Sequence, residues 1–326
     1  MKPVISVLVP VYNVETSIDR CLDSILAGGV DDIEVVCVDD CSPDGSAAIL
    51  ERRAAADPRI RVVRHEVNRG LMQARRTGYL NARGEYLFFC DSDDTIPGGA
   101  LATLLDAARR SGADITAGDL QIMRPDGPGH RIARHGRIAP GYTDYLRAIL
   151  TGTTPSLTAA LYRADLFADG GFDAFYKQNF SEDRLLLTDL LLTRRPSIAT
   201  VDTVAYYYHV NGASITRSRR SEEMVRSQFG ALYRCYRRVE EAEPALREVN
   251  RYFMTRYLSL YMEQGTPRHV ILSTDPESVR LLSPAELRRN VGLRLALHTL
   301  AIMYVPGYAR AATAARRLIR RLQRKD

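Results

Sequence analysis

Tyr86-Leu87-Phe88-Phe89-Cys90 runs without a break into Asp91-Ser92-Asp93-Asp94. A short apolar run rich in aromatic residues predicts a strand covered on both faces. Three acids at its end place carboxylates at the strand's carboxyl terminus. The same arrangement occurs upstream, where the apolar stretch 33–38 runs into Asp39-Asp40. Residues 4–9 form a β-branched run ended by Pro10, and 60–63 form a further strand. Helical spacing fills the intervals. Ile18, Cys21, Leu22, Ile25 and Leu26 mark a helix over 16–26, and 46–56 and 71–80 read as two more. This βαβαβαβ order predicts a mostly parallel sheet with helices on both faces. Ligands bind such sheets at the carboxyl ends of the strands. Both acidic clusters therefore fall on one rim, where they repel unless a cation or a donor-rich ligand lies between them.

Beyond Asp94 the pattern predicts a helix from Leu101, a strand near 114–117 and a Gly/Pro-rich loop over 125–129. A helix over 182–193 capped by Ser181 follows, then a strand over 204–208. After about residue 220 only helical spacing remains. Two domains are expected: 1–220, and a helical region over 221–326 that ends in a basic tail, 306–326. The 326 residues are 45% hydrophobic and 26% charged, an ordinary globular composition. Arg310, Arg316, Arg317, Arg320, Arg321, Arg324 and Lys325 stand against Asp326, so the tail alone carries the formal net charge of +6. A neutral body excludes a nucleic-acid-binding surface by charge. The five cysteines are scattered, without metal-site spacing, and read as reduced thiols of a cytosolic protein. The N-terminus carries no signal-peptide pattern.

Asp91 and Asp93, one residue apart at a strand end, can both face an octahedral Mg²⁺ or Mn²⁺ whose remaining ligands are substrate phosphates. Asp94 and Thr95 are read either with that group or as caps of a helix opening at Ile96-Pro97. A carboxylate at Asp39 or Asp40 can accept a uracil N3–H or a ribose hydroxyl, while Asp44 or Ser46 can cap the next helix. Glu182 and Asp183 suit the first turn of a helix through its dipole.

Taken in order, these blocks resemble family 2 glycosyltransferases. The resemblance lies in Ile5-Ser6-Val7-Leu8-Val9-Pro10-Val11-Tyr12-Asn13, in Val38-Asp39-Asp40-Cys41-Ser42-Pro43-Asp44, in Asn68-Arg69-Gly70 with Ala74-Arg75 and Gly78, in 84–94, in Glu182-Asp183, and in Tyr208 with Ser214-Ile215-Thr216. It implies a GT-A fold, Rossmann-like, and an inverting transfer from a nucleotide-diphospho-sugar donor, UDP by preference, to a hydroxyl. It places the donor against Pro10, Tyr12, Asp39, Asp40, Arg75, Asp91 and Ser92. It puts Mn²⁺ or Mg²⁺ on Asp93 with Asp91, and makes Asp183 the base. His209, which stands where the family carries an arginine, is read either as a further metal ligand or as a packed histidine. Glu182 is the alternative base, and is otherwise expected to pair with an arginine or a backbone amide. The sequence departs from the family pattern at Arg76 and His209, and at Asn211, where a third metal ligand would stand. Arg217, Arg219 and Arg220 read as a lid over the diphosphate or as a solvated charge run.

Leu293, Leu297, Leu300 and Tyr304 share a helical face, but Arg294, His298 and Pro306 interrupt the apolar stretch and argue against a membrane span. Ala311, Ala315, Leu318 and Leu322, flanked by arginines, read as a basic amphipathic helix able to lie on an anionic membrane. Such docking suits a glycan or lipid-linked glycan acceptor and a peripheral position at the inner face of the cell membrane. The rival readings are a sugar nucleotidyltransferase, which would show a Gly-rich phosphate loop where Pro10-Val11-Tyr12-Asn13 stands, and an inactive membrane-associated scaffold of the same fold.

Overall fold

The computed structural model describes residues 2–134, 138–151, 157–168, 172, 181–210, 222–263, 278–305, 308 and 311. The chain divides into two compact units, Met1–Ser218 and Arg219–Asp326.

In the first unit β1 (Ile5–Val11), β2 (Ile33–Asp39), β3 (Ile60–Arg64) and β4 (Tyr86–Phe89) are parallel, in the order β3-β2-β1-β4. The intervening helices are α1 (Ile18–Leu26), α2 (Ser46–Ala56) and α3 (Leu71–Asn81). β1, β2 and β4 are buried at every position, as expected for parallel strands covered on both faces. The sequence order of strands reverses between β1 and β4, so the carboxyl ends of these two strands flank the crevice where ligands bind in such sheets.

The strand ended in expectation by Pro10 continues to Val11. The Val4 and Leu8 carbonyls accept from Tyr86 and Cys90 on the β4 side, while the Val11 carbonyl accepts from Asp40 on the β2 side. By this alternation Pro10 faces β4, beyond the last paired residues, Leu8 and Phe89. Its missing N–H therefore leaves no ladder bond unmade.

The rest of the sheet is antiparallel around β7 (Ala160–Arg163), which lies between β4 and β5 (Ile115–Arg124). β5 follows α4 (Ala100–Ser111) and pairs with β6 (Gly127–Ile132) as a hairpin, so the Gly/Pro-rich stretch read as loop is largely strand. β8 (Ile198–His209), longer than its alternation suggested, runs parallel to β5. The central sheet stays mostly parallel where the acids lie. Between β6 and β8 are α5 (Tyr142–Leu150) and α6 (Glu182–Arg194). Ser181 does precede α6, but with φ 55 and no side-chain cap bond. α4 starts at Ala100 and not at Ile96, so Asp94 and Thr95 cap nothing.

The amino-terminal rim holds a buried polar knot. Glu34 accepts from the Ser6 hydroxyl (2.6 Å), the Arg83 N–H (2.6 Å) and Arg61 (2.8 Å), and Ser6 Oγ accepts from the Gly84 N–H. Gly84 has no room for a side chain: a Cβ there would lie 2.5 Å from the Ser6 nitrogen.

The second unit is helical: α7 (Glu222–Ala242), α8 (Arg247–Glu263) and α9 (Pro284–Tyr304). Phe229, Leu232, Leu258, Tyr261, Leu282 and Leu287 are among its buried core. Ser283 caps α9 by accepting from the Glu286 N–H, with Pro284 in the first turn, and Gly292 at φ 75 kinks it. Beyond the kink Ala296 and Thr299 face inward, while Leu293, Leu297 and Tyr304 are exposed. No helix among the described residues is long and apolar enough to cross a membrane.

Gly84→Ala is expected to destabilise the protein by about 1–3 kcal/mol, because the added methyl must push backbone against backbone. Urea denaturation measures it, as a lower midpoint with an unchanged slope.

Candidate active site

The first three acids of the reading, Asp39, Asp40 and Asp44, have separate tasks. Asp40 is buried and accepts from His65 Nδ1 (2.6 Å) and from the backbone N–H groups of Arg69 (2.8 Å) and Gly70 (2.7 Å). It thus anchors the start of α3, where Gly70 has φ 89, a backbone conformation that favours glycine. Most of its acceptor capacity is taken. Asp39, also buried, accepts from the Ser42 N–H at Oδ1 (2.9 Å). Its Oδ2 lies 3.1 Å from Arg64 Nε without a hydrogen bond. Asp44 accepts from the Ser46 N–H at the start of α2, close to the expected cap, and from the Glu15 N–H. The Glu15 carboxylate returns a bond to the Gly45 N–H (2.7 Å), and Ser42 and Ser46 hydroxyls accept from Asn13 and Val14. These contacts tie the β1–α1 loop to the β2–α2 loop. Each loop turns on a non-glycine residue in the left-handed region, Asn13 (φ 56) and Cys41 (φ 60), local strain of a kind that clusters at functional sites. Tyr12 projects from this corner, about half exposed.

At the end of β4, Arg75 from α3 is the organising side chain. It is buried, donates to Asp91 Oδ1 (2.9 Å) and to Glu182 Oε1 (2.6 Å), and keeps Nε unbonded. Asp91, Glu182 and Asp183 all raise its pKa, outweighing burial, so it is permanently charged. Burial lifts Glu182 to about 7, with the Asp183 charge adding and Arg75 opposing. Burial also lifts Asp183, against Arg75 and a backbone bond from Arg184 (2.7 Å). Residues far apart in the chain, at 75, 91 and 182–183, therefore share one electrostatic environment. Glu182 takes the arginine partner expected of it.

The acidic loop is held by its backbone. Ser17 donates to the Ser92 carbonyl (3.2 Å) and Arg20 to that of Asp93 (3.0 Å). Ser92 is buried, and the Asp91 side chain stays a third exposed. Asp94 is buried and accepts from the Tyr206 hydroxyl (2.8 Å) and the His209 N–H (2.7 Å). Burial, with Asp91 and Asp93 adding, pushes it up to about 8. His209 Nε2 lies 2.8 Å from Thr95 Oγ1, and burial and Arg20 lower its pKa.

Among the described residues no three of His, Cys, Asp and Glu converge to hold a metal, so Asp91, Asp93 and His209 do not form a ready-made cage. Asp91 and Asp93 nevertheless fit the common Mg²⁺ or Mn²⁺ arrangement, in which one or two carboxylates hold the ion and phosphates complete it. Their negative field on Asp94 is what a divalent ion there would relieve. Asn211, Ser214, Ile215, Thr216, Arg217, Arg219 and Arg220 lie outside the described residues. Tyr206 and Glu15 escaped the sequence reading. Alternation in β8 could have marked Tyr206 as buried, but nothing local points it at a loop 112 residues away.

Fold and site together define the GT-A class, a Rossmann-like sheet with an acid-lined carboxyl rim. The chain belongs to glycosyl transferase family 2, whose model matches residues 6–171. It is 44% identical over 115 residues to the uncharacterized glycosyltransferase EpsJ of Bacillus subtilis (strain 168), covering 35% of this chain and 33% of that one. It is 28% identical over 235 residues to the succinoglycan biosynthesis protein ExoO of Rhizobium meliloti (strain 1021), covering 68% of this chain and 65% of that one. The chain thus spans between a third and two thirds of the length of these two relatives. The crystal structure of S. aureus TarS 1–349 in complex with UDP-GlcNAc superposes with a TM-score of 0.72 at 20% identity, over 96% of this chain and 91% of that one.

The raised pKa of Glu182 predicts a pH effect. The folded state holds this proton up to about pH 7, whereas an unfolded glutamate releases it near about 4.3. Folding stability therefore falls as pH rises through that window. In Glu182→Gln this component is absent, and urea titrations at pH 5 and pH 7 should show the variant losing less stability than the wild type.

Proposed function

We propose that this protein moves a sugar from a nucleotide-diphosphate donor, a UDP-sugar, to an acceptor hydroxyl with inversion, in the synthesis of a cell-surface polysaccharide or glycolipid. The observation that carries this reading is Arg75, which gathers the carboxylate at the end of β4 and the acids that open α6 into one cluster. The name of ExoO supports a polysaccharide product, and the nucleotide sugar in the TarS structure supports the donor.

In this reading the nucleoside lies between Pro10, Tyr12 and Asp39, whose Oδ2 accepts from the base, while Asp40 keeps the wall of the site in place. Arg75 and Ser92 position the donor, with Asp91. When bound at Asp93 and Asp91, with His209 nearby, Mn²⁺ or Mg²⁺ supplies positive charge to the diphosphate. Asp183 takes the proton of the attacking acceptor hydroxyl. Burial suits it to this role, because a carboxylate lifted above its ordinary value holds a proton better. One displacement, with the acid and the leaving group on opposite faces of the sugar, inverts the anomeric carbon.

Asp183→Asn is expected to lower kcat by about 10²–10⁴ with the unfolding midpoint nearly unchanged. Transfer is followed by release of free nucleoside diphosphate. Release of pyrophosphate instead would make the protein a nucleotidyltransferase, and equal silence of wild type and variant across a panel of donors would favour an inactive scaffold.

The basic tail supports peripheral docking at the inner face of the cell membrane, beside a glycan or lipid-linked glycan acceptor. Truncation after Pro306 should abolish sedimentation with vesicles rich in phosphatidylglycerol. Binding that survives truncation overturns the docking reading.

A further inference from the structure

The Tyr206 hydroxyl occupies an unusual place. It is fully buried in β8 and sits between two groups of the acidic loop, accepting from the Asp91 N–H (3.0 Å) and donating to Asp94 Oδ2 (2.8 Å). Asp94 Oδ1 then accepts from the His209 N–H (2.7 Å), three residues further along β8. Thr95 and Tyr207 exchange backbone bonds (3.2 and 2.8 Å), and the Thr95 hydroxyl meets His209 Nε2. Loop and strand are thus laced together by backbone and side chain, Asp91, Asp94 and Thr95 against Tyr206, Tyr207 and His209, with Asp93 carried between them. A buried hydroxyl that both accepts and donates fixes the groups on either side of it, and losing it leaves a donor and an acceptor without partners in low dielectric. Both oxygens of Asp94 face inward to this seam.

We propose that Tyr206 and Asp94 are positioning residues, a lock between β8 and the acidic loop that holds Asp91 and Asp93 in the geometry needed to receive a divalent cation and a nucleoside diphosphate. Asp94 itself stands behind the ligands and touches neither. This inference rests on the donor-site reading of Asp91 and Asp93. Groups that orient metal-binding side chains from behind commonly weaken metal affinity by about 10–100-fold when removed.

The test uses Tyr206→Phe, which keeps the ring packed near Phe88 and removes only the hydroxyl. Amide hydrogen exchange reads the lock directly: protection of the Asp91 N–H should fall about tenfold or more. Calorimetric titration of UDP in the presence of Mn²⁺ reads its consequence: Kd should rise about 10–100-fold. A part that is merely structural would lower the unfolding midpoint and leave both readouts of the folded protein unmoved, and that result overturns the proposal. Asp94→Asn, of nearly the same shape, should shift both in the same direction and serves if Tyr206→Phe does not fold. If the wild type itself binds neither UDP nor GDP with Mn²⁺, the donor reading fails and exchange alone decides: unaltered protection at Asp91 in both variants overturns the lock.

Discussion

The buried guanidinium of Arg75 is the constraint on which the site depends. An unpaired charge in this position would be prohibitive, and its two bonded partners come from distant parts of the first unit's sequence, Asp91 after β4, 16 residues from Arg75, and Glu182 at the start of α6, 107 residues from it. The acids in turn could not crowd together without it, since burial and mutual repulsion already lift Glu182 and Asp183. The cation and the carboxylates therefore require one another.

Around it the site is assembled by division of labour among similar side chains. Asp40 holds the entrance to α3, Asp44 and Glu15 bind two loops to each other, Asp94 reaches to β8, and Glu182 serves Arg75. Asp39, Asp91, Asp93 and Asp183 are the acids left to face a ligand in the proposed reaction. This explains why so acid-rich a rim can fold at all: most of its carboxylates take a backbone N–H or a cation as partner, including Asp39 from Ser42, Asp91 from Arg75 and Asp183 from Arg184.

The βαβαβαβ half was legible because its strands are continuous apolar runs and its helices have one buried face, signals carried within ten residues or so. Ser46–Ala56 was read to the residue. The antiparallel half was less so. β6 is built from Gly127, Pro128 and Gly129, residues that read as turn, and is a strand only because β5 offers it a partner. The acids at 39, 91 and 182–183 were legible as candidates through their place in ordered motifs. Their separate duties were not, because a hydrogen bond such as that between Tyr206 and Asp94 spans 112 residues and leaves no periodic trace. The exposed side of α9 shows the same limit: Leu293, Leu297 and Tyr304 form a clear stripe, yet the buried residues beyond its kink are Ala296 and Thr299.

Pro10 has a consequence for the sheet as a whole. β4 leaves β1 after Phe89, and the next position on β1 that could bond in that direction carries no hydrogen on its nitrogen. Neither a lengthened β4 nor a foreign strand could zip the gap shut with a regular ladder. An imino acid thus acts as a doorstop, keeping β1 and β4 apart by covalent chemistry just where the acid-bearing carboxyl rim begins.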